Sequence, residues 1–254
     1  MNEKKQMSAW VLQVLACGGA FFGALTAQAA DFSVGRVDVE FAESGWKELP
    51  LPDESLAYGG EKTGAMEVQS KLYVRGDPGN EEQILVLVSA NSRGLGGGRG
   101  GYMSYSTDCK SDAQNYREGN EGFRASFSQC LTVTPLYTRE SVFKALAPQV
   151  LALPTSGLVS AQHPIYTVWS RHSISTGSFL DVRVFLVSPI GADKAAATDA
   201  LPNGVPPGHV AWGRQLKDAV KSSVYSLTGR LAVPPIRTVP LKSPPASGVA
   251  SSGG

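Results

Sequence analysis

The stretch that most constrains the fold runs from Gly64 to Asn91. Met66, Val68, Ser70, Leu72 and Val74 alternate with Glu67, Gln69, Lys71, Tyr73 and Arg75. That is the period-2 pattern of a strand with one wet face. Gly76-Asp77-Pro78-Gly79-Asn80 follows as a tight turn, with proline fixing one φ and glycine free to take φ > 0. The next run, Gln83-Ile84-Leu85-Val86-Leu87-Val88, is apolar on both faces and reads as an interior strand. A hairpin of this kind must be built into a larger sheet, because its second strand has no face it can leave in water.

Other segments supply that sheet. Ser33–Phe41 alternates Val37, Val39 and Phe41 with Arg36, Asp38 and Glu40, which predicts one half-buried strand. Gly45–Leu49 predicts a short second strand. Tyr102–Ser106 and Phe123–Val133 read as two more, and Lys110–Gly122 between them as a polar loop. Ile165–Ser173 and Ser178–Ser188 form a second hairpin, with Leu180, Val182, Val184 and Leu186 on one face. Arg139–Leu146 predicts a short helix, capped by Thr138. The last element is a long helix, about 20 residues from His209 to Thr228, stopped by Gly229. Its apolar stripe is Trp212, Leu216, Ala219, Val220, Ser223, Val224 and Leu227. The expected class is α+β: a twisted, mainly antiparallel sheet of hairpins covered on one face by the long C-terminal helix and the short one.

The ends of the chain carry different information. Lys4 and Lys5 precede an apolar run from Ala9 to Thr26, and Ala27-Gln28-Ala29 is a small-x-small cleavage site. Residues 1–29 therefore read as a secretory signal peptide. Cys17 after Ala16 offers a lipoprotein alternative, but the residues beyond it stay apolar to Ala24, where a lipid tether would turn polar. Residues 30–233 form the expected single domain, and 234–254, rich in Pro, Ser and Gly, an expected disordered tail. Without the leader the chain has 21 basic and 21 acidic residues. This balance gives no electrostatic case for nucleic acid or an anionic membrane surface, and no span remains after cleavage. The expected location is periplasmic or secreted.

Cys109 and Cys130 are the two cysteines left, which in an exported chain predicts one disulfide. Zinc is disfavoured because two distant Cys and the scattered His163, His172 and His209 lack ligand spacing. Ser92–Tyr102 holds six glycines in eleven residues but no Lys-Ser/Thr after them, so it is not a P-loop. No calcium-loop pattern occurs either, and no cofactor is expected.

Two sets of residues could carry function. His172 with Asp181 and Ser175 or Ser178 flank one turn, the raw material of a hydrolase, but without a Gly-x-Ser-x-Gly elbow or an oxyanion hole. His209, at a helix start, is expected to be a neutral surface residue. Arg93, Arg99, Tyr102, Tyr116 and Arg117 gather around the glycine-rich and disulfide loops, and Tyr and Arg are favoured at binding surfaces. The first expectation is a non-enzymatic envelope protein in an accessory or partner-binding role, its partner an envelope protein or a small ligand. The alternatives are an exported hydrolase using His172 and a small-ligand carrier with a pocket between sheet and helix.

Overall fold

The computed structural model of the chain describes residues 31–49, 51, 68–77, 82–91, 109, 112–121, 127–137, 165–174, 178–186, 190–191, 201 and 204–238. The signal peptide, Cys17, the glycine-rich segment, Tyr102–Ser106, the short helix at Arg139–Leu146 and the tail beyond Thr238 lie outside the described residues. The described elements, in chain order, are Asp31–Val34 (β1), Val37–Phe41 (β2), Lys47–Leu49 (β3), Val68–Arg75 (β4), Ile84–Asn91 (β5), Tyr116–Glu121 (β6), Phe127–Leu136 (β7), Ile165–Ile174 (β8), Phe179–Leu186 (β9), the helix Pro207–Tyr225 (α1) and Leu231–Val233 (β10). They form a mixed α+β arrangement of mostly antiparallel sheets with one described helix.

The larger sheet has seven strands in the order β3-β4-β5-β9-β8-β7-β6. The two hairpins, β4–β5 and β8–β9, are joined through the antiparallel pairing of β5 with β9. Every residue of β5 is buried, as its two-faced apolarity requires. Directly opposed residues share a face, so the register sorts the side chains. Tyr73, Val86, Val184, Val168, Val133 and Tyr116 form one row across six strands, all in the main core. The other face carries a second cluster of Leu72, Val74, Leu85, Leu87, Ile165 and Phe185.

The face expected to be wet at β4 is covered at Tyr73, while Gln69 stays exposed. β1, β2 and β10 form a small second sheet, and Phe32 and Phe41 press on Tyr73 at ring separations of 4.6 and 5.4 Å. Tyr73 is fully buried, and Trp46 stacks on Phe41 with Arg75 over its outer side. Alternation on one strand could not reveal this, because the cover comes from a distant segment. Ser33–Phe41 is likewise two strands, not one: Gly35, at φ 56, turns the chain between Val34 and Val37. β10 then joins β2 in parallel, the one parallel pair among the described strands.

α1 packs on β7, β8 and β9 of the main-core face and also touches β10. Pro207 starts it, where a missing N–H costs nothing. Trp212, Leu216, Val220 and Val224 face inward. Gly213 allows a close approach: a Cβ there would lie 2.9 Å from Leu131 Cδ1 and 3.1 Å from Val168 Cγ1. The helix ends at Tyr225, earlier than expected, with Ser226 in extended backbone. Leu227 is fully exposed rather than part of the stripe. Gly229, at φ 68, is not the stop; it turns the chain against Arg36 into β10.

Two further boundaries move. Tyr116–Glu121, within the expected polar loop, is the edge strand β6. Its polar composition fits an edge, where charge discourages pairing with another chain. At the other end, Pro234–Thr238 belongs to the fold. Trp212 Nε1 donates to the Pro235 carbonyl at 3.0 Å, Arg75 donates to the Ile236 carbonyl, and Ile236 N donates to Glu43. Ile236 is buried.

Candidate functional site

The β8–β9 hairpin carries the ionisable residues singled out from the sequence. In its register His172 is opposite Leu180, and Asp181 is opposite Arg171. Side chains alternate along a strand, so His172 and Asp181 project from opposite faces of the sheet. They are neighbours in topology and separated by the sheet in space.

Asp181, 2% exposed, lies among Ser89, Arg171, Arg183 and Trp169 on the face away from α1. Arg171 Nε donates to Oδ2 at 2.6 Å, Arg183 Nε to Oδ1 at 3.2 Å, and Trp169 Nε1 to Oδ2 at 2.9 Å. Both guanidiniums also lie over the Trp169 ring, each 4.7 Å from its centroid. Burial alone would raise this carboxyl, but the charges of Arg171 and Arg183 and the hydrogen bonds outweigh it, so its pKa is lowered. A carboxylate held this way stays ionised and fixes its neighbours. It is a poor general base, since its lone pairs are committed.

His172 has the opposite surroundings. It is fully buried on the α1 face, its ring stacked near Phe127 at 6.0 Å and edge-on to Tyr225 at 5.4 Å. Neither ring nitrogen has a hydrogen-bond partner among the described residues. Burial first, and the Lys221 charge second, push its pKa down to about 4. Such a ring is neutral across the physiological range. Ser178, the described hydroxyl of the hydrolase reading, is buried, and Ser175 lies outside the described residues.

His209 is not the surface residue expected of it. It is fully buried in the first turn of α1, 4.5 Å from the Tyr166 ring, and neither nitrogen is bonded among the described residues. Burial pushes its pKa down to about 3. His163 lies outside the described residues.

The binding residues separate too. Tyr116 and Arg117 are adjacent on β6 and point to opposite faces. Tyr116 is buried against α1, where its hydroxyl donates to Glu118 and accepts from Arg214 Nη2 at 2.8 Å. Burial and the neighbouring carboxylate push the phenol up to about 12. Glu118 also receives Arg214 Nε at 2.9 Å and the Lys217 ammonium, so this cluster ties the edge strand to the helix. Burial would raise the Glu118 carboxyl; the Lys217, Tyr116 and Arg214 hydrogen bonds bring it below its usual value. Arg117 lies on the far face, 3.6 Å from Asp112. Arg93, Arg99 and Tyr102 lie outside the described residues.

Cys109 and Cys130 form a disulfide, with Cα atoms 5.8 Å apart. Cys130 sits mid-strand on β7 opposite Gly119, and a side chain at Gly119 would run into Cys109 Sγ. The bridge thus crosses over the edge strand rather than closing a bare loop. Among the described residues no group of three His, Cys, Asp or Glu could hold a metal ion, and no helix is long and apolar enough to cross a membrane.

Sequence reasoning named Asp181 but missed its partners. The signal was present: Asp181 and Arg183 alternate with Leu180 and Val182, as Trp169 and Arg171 do with Val168 and Ser170. The Glu118–Arg214–Lys217 cluster had no comparable signal, since its members are about 100 residues apart along the chain. Compared with known protein families, with characterised proteins and with solved structures, the chain matches none.

Proposed function

We propose that this chain is an exported, non-enzymatic protein of the cell envelope, periplasmic or secreted, that works by binding a partner. The observation that carries the reading is the separation of His172 from Asp181 by the sheet, each sealed in its own surroundings. A hydrolase built on that hairpin would need them within hydrogen-bond reach of each other. The Cys109–Cys130 bridge is compatible with an oxidising, exported compartment, in keeping with the leader. The close contact of Gly213 with Leu131 and Val168 speaks against a ligand pocket at that crossing of helix and sheet. The fuller architecture belongs with this reading: a sheet covered on one face by a long C-terminal helix and a second, short one.

The binding surface is assigned to the segments on either side of Cys109, carrying Arg93, Arg99, Tyr102 and Arg117. Tyr116 supports it from beneath rather than touching the partner. The test is cross-linking in the native host followed by mass spectrometry, with the parent chain and an Arg93→Ala, Arg99→Ala, Tyr102→Ala, Arg117→Ala variant. Cross-links to one envelope protein that disappear in the variant, at unchanged melting temperature, support the reading. Identical cross-links in both sink the surface assignment. A hydrolytic activity of the purified chain that is lost in His172→Gln would replace the reading altogether.

A further inference from the structure

α1 meets the sheet through an apolar middle and a histidine at each end. Trp212, Leu216 and Val220 fill the middle. His209 occupies the first turn against Tyr166 of β8, and His172 of the same strand lies under Tyr225, the last helical residue. Both histidines are fully buried, and none of their four ring nitrogens makes a hydrogen bond among the described residues. A purely structural position of this kind is served better by an apolar side chain, because each unbonded buried polar atom carries an uncompensated desolvation cost. What imidazole adds is a protonation state within reach of environmental acid.

We propose that the seating of α1 on the sheet is acid-sensitive, with His209 and His172 as the two groups whose protonation loosens its ends. The groups facing His172 are Lys221 and Tyr225 from α1, Phe127 and Gln129 from β7 and Leu180 from β9. Lys221 repels a second positive charge, and Gln129 is engaged with the Lys217 carbonyl. Facing His209 are Tyr166 from β8 and, through it, Tyr137; burial alone depresses its pKa. Among the described residues no carboxylate contributes to either ring's pKa, so none of them would counter the charge of an imidazolium formed in place. The aromatic rings offer a cation–π contact, which is weaker than the cost of an unpaired buried charge.

The sign follows directly. A histidine whose pKa is lower in the seated state than in the released one stabilises seating above about pH 6.5 and loses that contribution as the pH falls below it. The middle of the helix contains no such group, so the ends respond first. On the exported reading proposed above, the chain meets external pH directly, and loosening there would open the contacts of His209 with Tyr166 and of His172 with Tyr225.

The experiment uses the mature, disulfide-intact chain and reads amide protection factors by NMR from about pH 7.5 to about pH 4.5. Protection at residues 208–211 and 222–225 is expected to fall about tenfold or more, while β5 and β9 keep theirs. In a His172→Phe, His209→Phe variant the loss at the helix ends should vanish. Ring Cε1–H shifts of the parent chain give an independent reading that needs no variant. His172 and His209 should stay neutral while the protein remains intact. Titration of either near pH 6.5 without loss of protection would overturn the proposal, as would helix ends equally protected at both pH values.

Discussion

His172 and Asp181 occupy adjacent cross-strand pairs of one hairpin, and they show two ways of burying an ionisable group. Asp181 is buried charged, with two guanidiniums and an indole N–H around it. His172 is buried neutral, its ring nitrogens bonded to nothing among the described residues. The first arrangement makes a rigid network that resists acid, and the second leaves a liability that acid can exploit. One residue of register decides which face, and hence which fate, each receives.

The largest expected effect comes from breaking the charged side. Asp181→Ala leaves Arg171 and Arg183, 12% and 18% exposed, without their buried counter-ion. It should cost about 3–5 kcal/mol in urea unfolding at neutral pH. A cost under about 1 kcal/mol would mean that the network contributes little to stability. Next, replacing Cys109 and Cys130 together by Ser should cost about 3 kcal/mol, since the bridge closes a 21-residue separation. Parent and variant melting together under non-reducing conditions would refute that.

The pH axis separates the two sides of the comparison. The histidine contribution is complete above about pH 6.5 and declines as pH falls toward the depressed values near 4 for His172 and 3 for His209. The Asp181 contribution is complete above the ordinary carboxyl value and declines only as pH falls below about 4, toward its lowered folded pKa. Stability measured against pH should therefore drop in two stages, the first beginning below about pH 6.5 and the second below about pH 4. A single drop confined below about pH 4 would show that the histidines take no part.

The smaller effects sharpen the contrast. His172→Phe should change stability by about 1 kcal/mol or less at pH 7, because Phe127 and Tyr225 already make an aromatic site. Glu118→Gln should cost about 1 kcal/mol, since Arg214 is well exposed and Lys217 only partly buried. Thermal melts of the two variants, compared at pH 7 and pH 5, check both. Only the histidine variant should flatten the difference between the two pH values.

Much of the larger sheet was legible from single segments. The β4–β5 and β8–β9 hairpins are set by local alternation and turn residues, and Leu180, Val182, Val184 and Leu186 share a face as expected. Cys109 and Cys130 pair as their count implied. Less was legible where a segment looked polar in isolation. β6 reads as a loop until β7 gives it hydrogen-bond partners, and Tyr116 reads as a binding residue until α1 covers it. Pro234–Thr238 reads as tail until Trp212 and Arg75 hold its carbonyls.

The sequence by itself determined the quantities that depend on neighbours along the chain: strand periodicity, the pairing order within each hairpin and the balance of charge. Tertiary structure alone decided what covers each face. Tyr73 is buried by Phe32 and Phe41, His209 by Tyr166 and the helix–sheet contact, and Glu118 is bound by residues nearly a hundred positions away. The physical reason is that periodicity fixes the direction of a side chain, whereas burial and ionisation depend on whatever distant segment fills the space in that direction.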